Sequence, residues 1–574
     1  MASSSKSSSL LPARPSSMQI PLLICLLLIF LLIQLLSLLT VNPQKYPPPK
    51  FTHRPLHHHH EQEITEPPAW FDAIAKHLKT DRVKVGLVNI DQKLDASLLQ
   101  LLPPRVETVP VNFDRVDDNL KWKDFFPEWI DEEQKRGPPK CPRMPMPEPE
   151  PRRDLSVVVA RVPCGGTSKE GVIRDVFRLQ VNLVAANLAV ESGWLKNDSH
   201  RTVFVVFIGR CSPMIEIFRC DDLVTHEGEY WVYKPQLWRL KQLTIMPPGS
   251  CQIAPNFAET GKEVWRAYMK NHNNNATTMR APRVAYATVL HSSEAYVCGA
   301  IALAQSILQT LKHHPIKSHT DLILLADNSI GPKSTRGLEA AGWKIKRIKR
   351  ILSPFSRKNS YNRWNYSKLQ LWKLTEYDRV IFIDSDLLVL RNIHDFSFYP
   401  QLSAAPNDFS LFNSGLMVIE PSECMFNDMM EKRFSVKSYN GGDQGFLNEI
   451  FPWWHRLPSK LNYLKFHERY AENETELEGV YAIHYLGLKP WLCYRDYDCN
   501  WDLKDHQKFA SDLAHRKWWR VYEKMPKELQ SYCGLTKKMD QRLMTWRSRA
   551  RNASLAGGHW RIKIKDPRKK HFVG

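Results

Sequence analysis

Residues 380–390 read VIFIDSDLLVL. Val380 to Ile383 and Leu387 to Leu390 make a nearly unbroken β-prone apolar run, which predicts a buried strand. Asp384 and Asp386 interrupt it, although an unpaired buried carboxylate costs several kcal/mol or stays protonated. Residues i and i+2 of a strand point to the same side, so both carboxylates can converge on one object. That object should be positively charged.

Working outward, the pattern alternates strands and helices. RVAYATVL, DLILLAD and WKIKRIK read as strands, AYVCGAIALAQSILQTL as a helix, and YSKLQLWKLTEYD as a helix feeding the opening strand. The acidic pair thus falls at the carboxyl end of a strand in a mostly parallel sheet, the edge where open α/β sheets bind ligands. A second α/β region lies upstream, with strands VKVGLVNI, VETVPVNF, LSVVVARVPC and TVFVVFIG and the helix IRDVFRLQVNLVAANLAVES. The Pro-rich insert GPPKCPRMPMPEPEPRRD is a loop within it, and NHNNNATTMRAP is a polar linker after it. The expected organisation is a tail over 1–19, a membrane anchor over 20–41 and a stem over 42–80. An accessory α/β region without chemistry of its own follows over 81–270, then a catalytic domain over 281–530 and a basic tail over 531–574.

Residues 20–41 carry no charge and, at about 1.5 Å per residue, suffice as a helix to cross about 30 Å of hydrocarbon. A secretory leader has a shorter apolar stretch and a small-residue cleavage site. The following NPQKYPPPK offers no such site, so the reading is an uncleaved signal anchor. Lys6 and Arg14 precede the span while Lys45, Lys50 and Arg54 follow it, so flanking charge does not set orientation. The short leading segment and large following body favour a cytosolic tail and a luminal body. Glycosylation signals at Asn197, Asn275, Asn365, Asn473 and Asn552 fit a lumen but are weak evidence for it. Of 11 cysteines, Cys25 lies in the span and ten follow, an even number suited to disulfides. Cys493 and Cys499 are the pair most expected to bond. No Cys/His set has zinc-site spacing, and His57 to His60 reads as a solvated linker. The net charge of +20 favours an anionic partner. With no nucleic-acid motif and a membrane anchor, nucleic acid gives way to nucleotide sugars, acidic polysaccharides or lipid head groups.

Two aspartates one residue apart after a parallel strand, with no Gly-rich phosphate loop, suit a divalent cation held by oxygen. Alone, such a pair could simply face water. HYLGLKPW, residues 484–491, adds an imidazole, a glycine where a backbone can approach closely, and a lysine able to meet phosphate oxygens. An imidazole beside two carboxylates suits Mn2+ better than Mg2+. Trp453, Trp454, Trp491, Trp518 and Trp519 could stack on sugars, but tryptophans at such spacings are more often core, and we place them there.

YSKLQLWKLTEYDRVIFIDSDLLVLRNI, LFNSGLMVIEPS, NGGDQGFLNEIF and HYLGLKPW occur in that order across about residues 282–500. Together they resemble the glycogenin-like glycosyltransferases, family eight of the retaining nucleotide-sugar enzymes. The upstream α/β region and the anchor are similar to the plant glycogenin-like proteins that place glucuronic acid on xylan. The resemblance implies a GT-A type fold: a Rossmann-like, mostly parallel α/β sheet with an upstream accessory α/β region and a single N-terminal transmembrane helix. It also implies a single-pass type II protein of the Golgi membrane with a luminal catalytic domain. By position, Asp384, Asp386 and His484 match the metal ligands, with Mn2+ as cofactor. Lys489 matches the lysine on the diphosphate, with Gly487 lending its backbone, and Lys368 matches a lysine beside the donor. Asn413, Ser414 and Gly415 of NSG, with Asp443 and Gln444 of GGDQG, match positions lining the transferred sugar. Leu290 and Tyr296 are nucleotide-binding candidates. Ser385 replaces the commoner alanine; it belongs to the donor-binding stretch, but its side chain should point away from the ligands. Asp443, Gln444 and Lys489 are the residues implied in catalysis.

A nucleotide diphosphate leaves as an anion, so a metal and a lysine that stabilise its developing charge lower the barrier. Double displacement with retention needs a carboxylate near the anomeric carbon. Asp443 is the motif carboxylate left over, and Gln444 is a poor nucleophile. The preferred reading is same-face transfer, with the departing phosphate helping to deprotonate the acceptor and Asp443 orienting sugar hydroxyls. The GGDQG stretch also reads as a Gly-rich helix entry capped by Asp443, a role compatible with the first. The resemblance favours UDP-glucuronate as donor and xylan as acceptor, in company with other cell-wall polysaccharide enzymes. Rival readings are the same machinery with UDP-glucose or UDP-galactose, or a silent scaffold in a polysaccharide-synthesis complex.

Overall fold

The structure, a computed structural model, describes residues 68–78, 82–91, 102–148, 154–164, 173–194, 201–255, 283–312, 320–408, 411–466 and 477–570. The anchor expected over 20–41, the tract His57 to His60, and Asn197, Asn275 and Asn473 lie outside them. Among the described residues no helix is long and apolar enough to cross a membrane. The end of the expected stem is folded: Ala69–Ala75 is helical and buries Trp70, Phe71 and Ile74 against the first sheet.

Residues Glu66–Gly574 form one compact unit built on two α/β sheets. The first comprises β1 (Val83–Val88), β2 (Val106–Val111), β3 (Val157–Arg161), β4 (Phe204–Ile208), β5 (Leu223–Glu227) and β6 (Tyr230–Tyr233), in the order β2-β1-β3-β4-β6-β5. The first four are parallel, and the β5–β6 hairpin closes the edge with β6 antiparallel to β4. Helix α1 (Val176–Gly193) links β3 to β4 and is buried almost all round. Asn182 on it is satisfied at both ends of its amide: Nδ2 donates to Arg178 O and Oδ1 accepts from Met214 N.

The second sheet comprises β7 (Val284–Leu290), β8 (Thr320–Ala326), β9 (Lys344–Arg347), β10 (Arg379–Ile383), β12 (Ser403–Pro406), β13 (Phe412–Ile419) and β14 (His455–Arg456). Its order is β14-β12-β13-β10-β7-β8-β9. β10, β7, β8 and β9 are parallel, while β13 runs antiparallel to both its neighbours. Helix α2 (Val297–Leu311) follows β7, and α3 (Asp443–Ile450) begins in the GGDQG stretch. A small third sheet, β11-β16-β15, joins β11 (Leu387–Val389), β15 (Tyr463–Leu464) and β16 (Ala482–His484).

Four expectations need correcting. Asp443 does not cap the helix entered from GGDQG: Gly442 is the cap and Asp443 the first helical residue, its carboxylate turned instead to Lys368 and Ser414. The opening run is not one strand: β10 stops at Ile383, Leu387 N donates to Asp384 O at 3.0 Å across a turn, and β11 departs into the third sheet. The turn takes both carboxylates out of the sheet interior while the flanking apolar residues stay buried. The YSKLQLWK stretch is a 3-10 helix over Tyr361–Lys373 rather than an α-helix. Tyr366, Leu369, Leu371 and Trp372 on it are all fully buried. The basic segment from 531 is folded through residue 570. Helix α5 (Lys537–Asn552), which follows α4 (Asp512–Lys524), packs Leu543 into a core with Tyr494 and Trp501. Arg568 is buried over Trp519 and donates to the carbonyls of Trp491, Cys493 and Cys533. All five tryptophans placed in the core by sequence are buried there.

The ten cysteines after the anchor all pair: Cys141–Cys251, Cys164–Cys211, Cys220–Cys424, Cys298–Cys533 and the expected Cys493–Cys499. Cys220–Cys424 ties the upstream region to the helix after β13, Glu423–Lys432, beside a buried ion network. Glu420, just past β13, pairs with Arg219 at 2.7 Å and with Arg379 at 3.1 Å. Arg379 opens β10 and also donates to Gln242 Oε1 at 2.7 Å. The upstream region thereby fixes the start of the strand that ends at Asp384.

Candidate active site

The site forms where β10 ends against β13 and β16. Asp384 N donates to Gly415 O at 2.8 Å, and β11 pairs with β16 so that Leu387 lies opposite His484. Two short pairings thus place an imidazole beside the acidic turn. Ligand atoms of Asp384, Asp386 and His484 all lie within 4.8 Å of one another. The imidazole packs so closely on Gly415 that a Cβ there would sit 2.7 Å from His484 Cε1. Gly415 is therefore needed for its missing side chain.

The hydrogen bonds around His484 decide which ring nitrogen is a lone pair. Gly415 N–H donates to Asn413 Oδ1 at 2.8 Å, which fixes that oxygen as an acceptor. Asn462 Nδ2 then donates to the same oxygen at 2.8 Å, turning Asn462 Oδ1 towards His484 Nδ1 at 3.1 Å. At the far end Asn413 Nδ2 donates to Asn407 Oδ1 at 2.8 Å, and Asn407 donates to the Asp408 carboxylate. Every amide in this row points the same way, so His484 carries its proton on Nδ1. Nε2 is left as a lone pair 3.4 Å from Asp386 Oδ1. Two such atoms face to face repel unless they share a cation, and nitrogen with carboxylate oxygens is a donor set for a first-row divalent ion.

Two ammonium groups flank the acidic turn. Lys489 Nζ is 2.7 Å from Asp386 Oδ2. Lys368 Nζ is 2.5 Å from Asp443 Oδ2, 3.3 Å from Asp384 Oδ1 and 3.1 Å from Ser414 O. Burial, and the neighbouring Asp386 and Asp443, push Asp384 up to about 6 despite Lys368. Burial also opposes ionisation of Asp386, but Lys489 holds it far below the usual carboxylate range. Burial lowers both lysines, yet Asp384 and Asp443 around Lys368, and Asp386 beside Lys489, leave them raised and charged. Asp384, Asp386 and Asp443 against Lys368 and Lys489 leave one uncompensated negative charge. A diphosphate enters this site only if more positive charge comes with it.

The remaining motif residues gather around this centre. Ser414 Oγ donates to Asp443 Oδ2 at 2.8 Å, and Ser414 N donates to Gln444 Oε1 at 3.2 Å. Gln444 Nε2 donates to Tyr439 OH at 2.7 Å. Gly487 has φ +72°, and a Cβ there would meet Asn500 Oδ1 at 2.5 Å, so glycine alone allows the main chain to turn beside Lys489. Tyr296 is partly exposed and stands edge-on to Trp491. Leu290 has a core side chain, so any contact it offers a nucleotide is through its main chain. Ser385 is buried with its carbonyl against α2, where a Cβ on Gly299 would lie 2.4 Å away.

Sequence reasoning missed Asn462, Asn407, Tyr439 and the Asp327–Arg350 pair, which is 2.9 Å apart beyond the end of β8. Asn462, in KLNYLKF, belongs to no motif; an asparagine buried between apolar residues was the signal available.

An α/β sheet carrying two carboxylates, an imidazole and two lysines at its ligand-binding edge suits a diphosphate bound through a divalent cation. Glycosyl transferase family 8 matches residues 287–494, and the GUX1-5 N-terminal domain matches residues 60–251. The chain is 49% identical over 499 residues to UDP-glucuronate:xylan alpha-glucuronosyltransferase 2 of Arabidopsis thaliana, covering 85% of this chain and 81% of that one. It is 45% identical over 477 residues to UDP-glucuronate:xylan alpha-glucuronosyltransferase 1 of the same plant, covering 81% and 68%. Human glycogenin-1 is 28% identical over 270 residues, 43% of this chain and 74% of that one. The protein belongs to glycosyl transferase family 8, within the group that carries the GUX1-5 N-terminal domain.

Proposed function

We propose that the protein transfers glucuronate from UDP-glucuronate to the xylan backbone, with retention and with Mn2+ held by Asp384, Asp386 and His484. The observation that carries this reading is that acidic and imidazole group beside Lys489, in a chain similar along most of its length to relatives named for that reaction. The ion, when bound, supplies Lewis-acid stabilisation of the leaving diphosphate. Lys489 contributes a point charge to the same phosphate oxygens, released from Asp386 as the donor enters. Lys368 holds Asp443 and Asp384 in register, bridging the metal side of the site to the sugar side.

Asp443 is engaged by Lys368 and Ser414 through the same oxygen, which blunts it as a nucleophile. It is better placed to orient sugar hydroxyls. Gln444 is pinned between Ser414 N and Tyr439 OH, so its amide presents a fixed dipole to the transferred sugar. We therefore favour same-face transfer: the anomeric C–O bond to phosphate breaks, the acceptor oxygen bonds to the same face, and its proton passes to the departing phosphate. The chain would be anchored by residues 20–41 as a type II protein of the Golgi membrane, its body in the lumen beside other cell-wall polysaccharide enzymes.

The test is the purified full chain with Mn2+, a panel of UDP-sugars and xylo-oligosaccharides. UDP-glucuronate should be preferred over UDP-glucose at least about tenfold, the worth of one charge-assisted hydrogen bond of about 1.4 kcal/mol. Equal rates would reject the glucuronate reading and leave a metal-dependent transferase with another donor. No turnover with any donor would favour the scaffold.

A further inference from the structure

The upstream α/β region holds a cavity of about 770 Å³, far from small for a ligand site and separate from the acidic turn. Its place in the sheet is informative. The chain passes from β1 outward to β2 and then returns to β3 on the other side of β1, so the strand order reverses between β1 and β3. In open parallel sheets that reversal opens a crevice at the carboxyl ends of the strands, and ligands bind there. The cavity lies at that point: Asn89 and Asp91 follow β1, Asn112 and Arg115 follow β2, and Arg161 ends β3. Asn89 Nδ2 donates to Arg161 O at 2.9 Å, tying the two strand ends across the reversal. Asn89 itself sits at φ +52°, a left-handed turn that asparagine tolerates, so β1 ends abruptly at the cavity wall.

The lining narrows the ligand class. After β1 the sequence NIDQKLDA lacks the glycines that let a backbone cradle a pyrophosphate. The first turn of α1 contributes Phe177 to the wall, but the helix is capped by the Asp175 carboxylate, which accepts from Arg178 N. That carboxylate, already on the helix N-terminus, opposes a diphosphate there. What the walls offer instead are amides and the Asp91 carboxylate for hydroxyl groups, the ring of Phe177 and the Arg115 guanidinium. Arg115 stacks on Phe177 with its guanidinium carbon 4.3 Å from the ring centre, which fixes the plane of the fork. Its partner is Asp118 at 3.0 Å, in a largely exposed pair that holds it only weakly. A planar fork beside amides and an aromatic face matches a ring bearing hydroxyls and one carboxylate.

We propose that the upstream region is a second, non-catalytic binding site for a hexuronate, with Arg115 on its carboxylate and Asn89, Asp91 and Asn112 on its hydroxyls. The uronate can come from a substituted glycan or from a nucleotide sugar, and both sources present the same ring to this cavity.

The experiment is calorimetric titration of the full chain in chelator, so that metal-dependent donor binding is silent. The probes are xylotetraose carrying one glucuronate, unsubstituted xylotetraose, UDP-glucuronate and UDP. At least one glucuronate-bearing probe should bind, at least tenfold tighter than its partner without glucuronate; which one does so identifies the source. Arg115→Ala should weaken that binding at least tenfold, and Asn112→Ala should weaken it less. Both variants should hydrolyse the nucleotide-sugar donor with Mn2+ at the unaltered rate. Binding of UDP that depends on Arg115, equal binding of the neutral tetraose, binding indifferent to both substitutions, or no binding of either glucuronate probe would each overturn the proposal.

Discussion

His484 Nδ1 lies 3.1 Å from Asn462 Oδ1, and that single contact sets the imidazole's tautomer and so the direction of its free lone pair. Asn462 is a positioning residue for the metal site although it touches neither carboxylate. Asn462→Leu removes the acceptor and lets the ring proton move to Nε2, where it blocks coordination. Outer partners of ligating histidines are worth about 10- to 100-fold in metal affinity. We expect the variant to lose Mn2+ affinity by that factor, read from the free-ion resonance in a titration. The 15N shifts of the metal-free His484 ring should exchange between the two nitrogens. Unchanged ring shifts would sever Asn462 from the metal site.

The two carboxylates of the acidic turn should affect stability in opposite directions. Asp384 is held up to about 6 chiefly by burial, so its charged form opposes folding at neutral pH. In the double variant Asp384→Asn/Asp386→Asn, Lys368 keeps Asp443 and Lys489 keeps the Tyr485 carbonyl. Asp384→Asn alone should leave the melting temperature without metal at or above that of the parent, whereas the double variant also strips Lys489 of Asp386 and should melt lower. Transfer by the double variant should fall at least about a thousandfold, roughly 4 kcal/mol of lost transition-state stabilisation. Turnover at the parental rate in chelator would defeat the metal assignment.

The join between the two sheets should be acid-sensitive. Burial favours the neutral form of Glu420, but Arg379, Arg219 and Arg239 outweigh it and hold the carboxyl down to about 2, against 4.5 for the unperturbed group. A depressed folded-state value means stability that is fully present above about 4.5 and lost as pH falls towards 2. Glu420→Gln abolishes that part of the pH dependence. It also leaves Arg379 buried without its carboxylate, a loss of about 3–5 kcal/mol at pH 7. Urea unfolding of parent and variant at pH 7 and pH 3 checks both statements: the gap between them should narrow at the lower pH.

How much of this was legible in the sequence depends on the range of the interactions involved. The strands and α1 were readable because apolar runs and their breaks are local, and the same holds for Cys493–Cys499, only six residues apart. The DSD turn was misread because an apolar run looks the same whether it continues in one sheet or passes to another. What ends β10 is the pairing of β11 with β16, nearly a hundred residues later in the sequence. Separation in sequence also hid Asn462, whose polarity has meaning only beside Asn413, 49 residues before it, and His484, 22 residues after it. The folded C-terminal segment was taken for a tail because its charge dominates its composition. Arg568 is nonetheless buried, since three carbonyls and the Asp566 carboxylate receive its guanidinium.

The mouth of the active site carries exposed tyrosines where a soluble surface would ordinarily be polar. Tyr361 is 86% exposed, at the start of the 3-10 helix that carries Lys368. The next residue, Asn362, donates to Asn440 O at 2.8 Å, which places Tyr361 on the side of the opening where the GGDQG stretch begins. A flat ring with a polar rim suits the face of a pyranose in a long acceptor. Because Tyr361 reaches none of Asp384, Asp386, His484 or Lys489 by hydrogen bond or ion pair, Tyr361→Ala should leave donor hydrolysis without acceptor unchanged. With xylo-oligosaccharides the KM should rise about tenfold while kcat changes less than twofold, the pattern of lost uniform binding. The increase should grow with acceptor length, since a stacking position outside the reacting residue is filled only by longer chains. An equal fall in kcat for the shortest and longest acceptors would instead place Tyr361 on the reacting sugar.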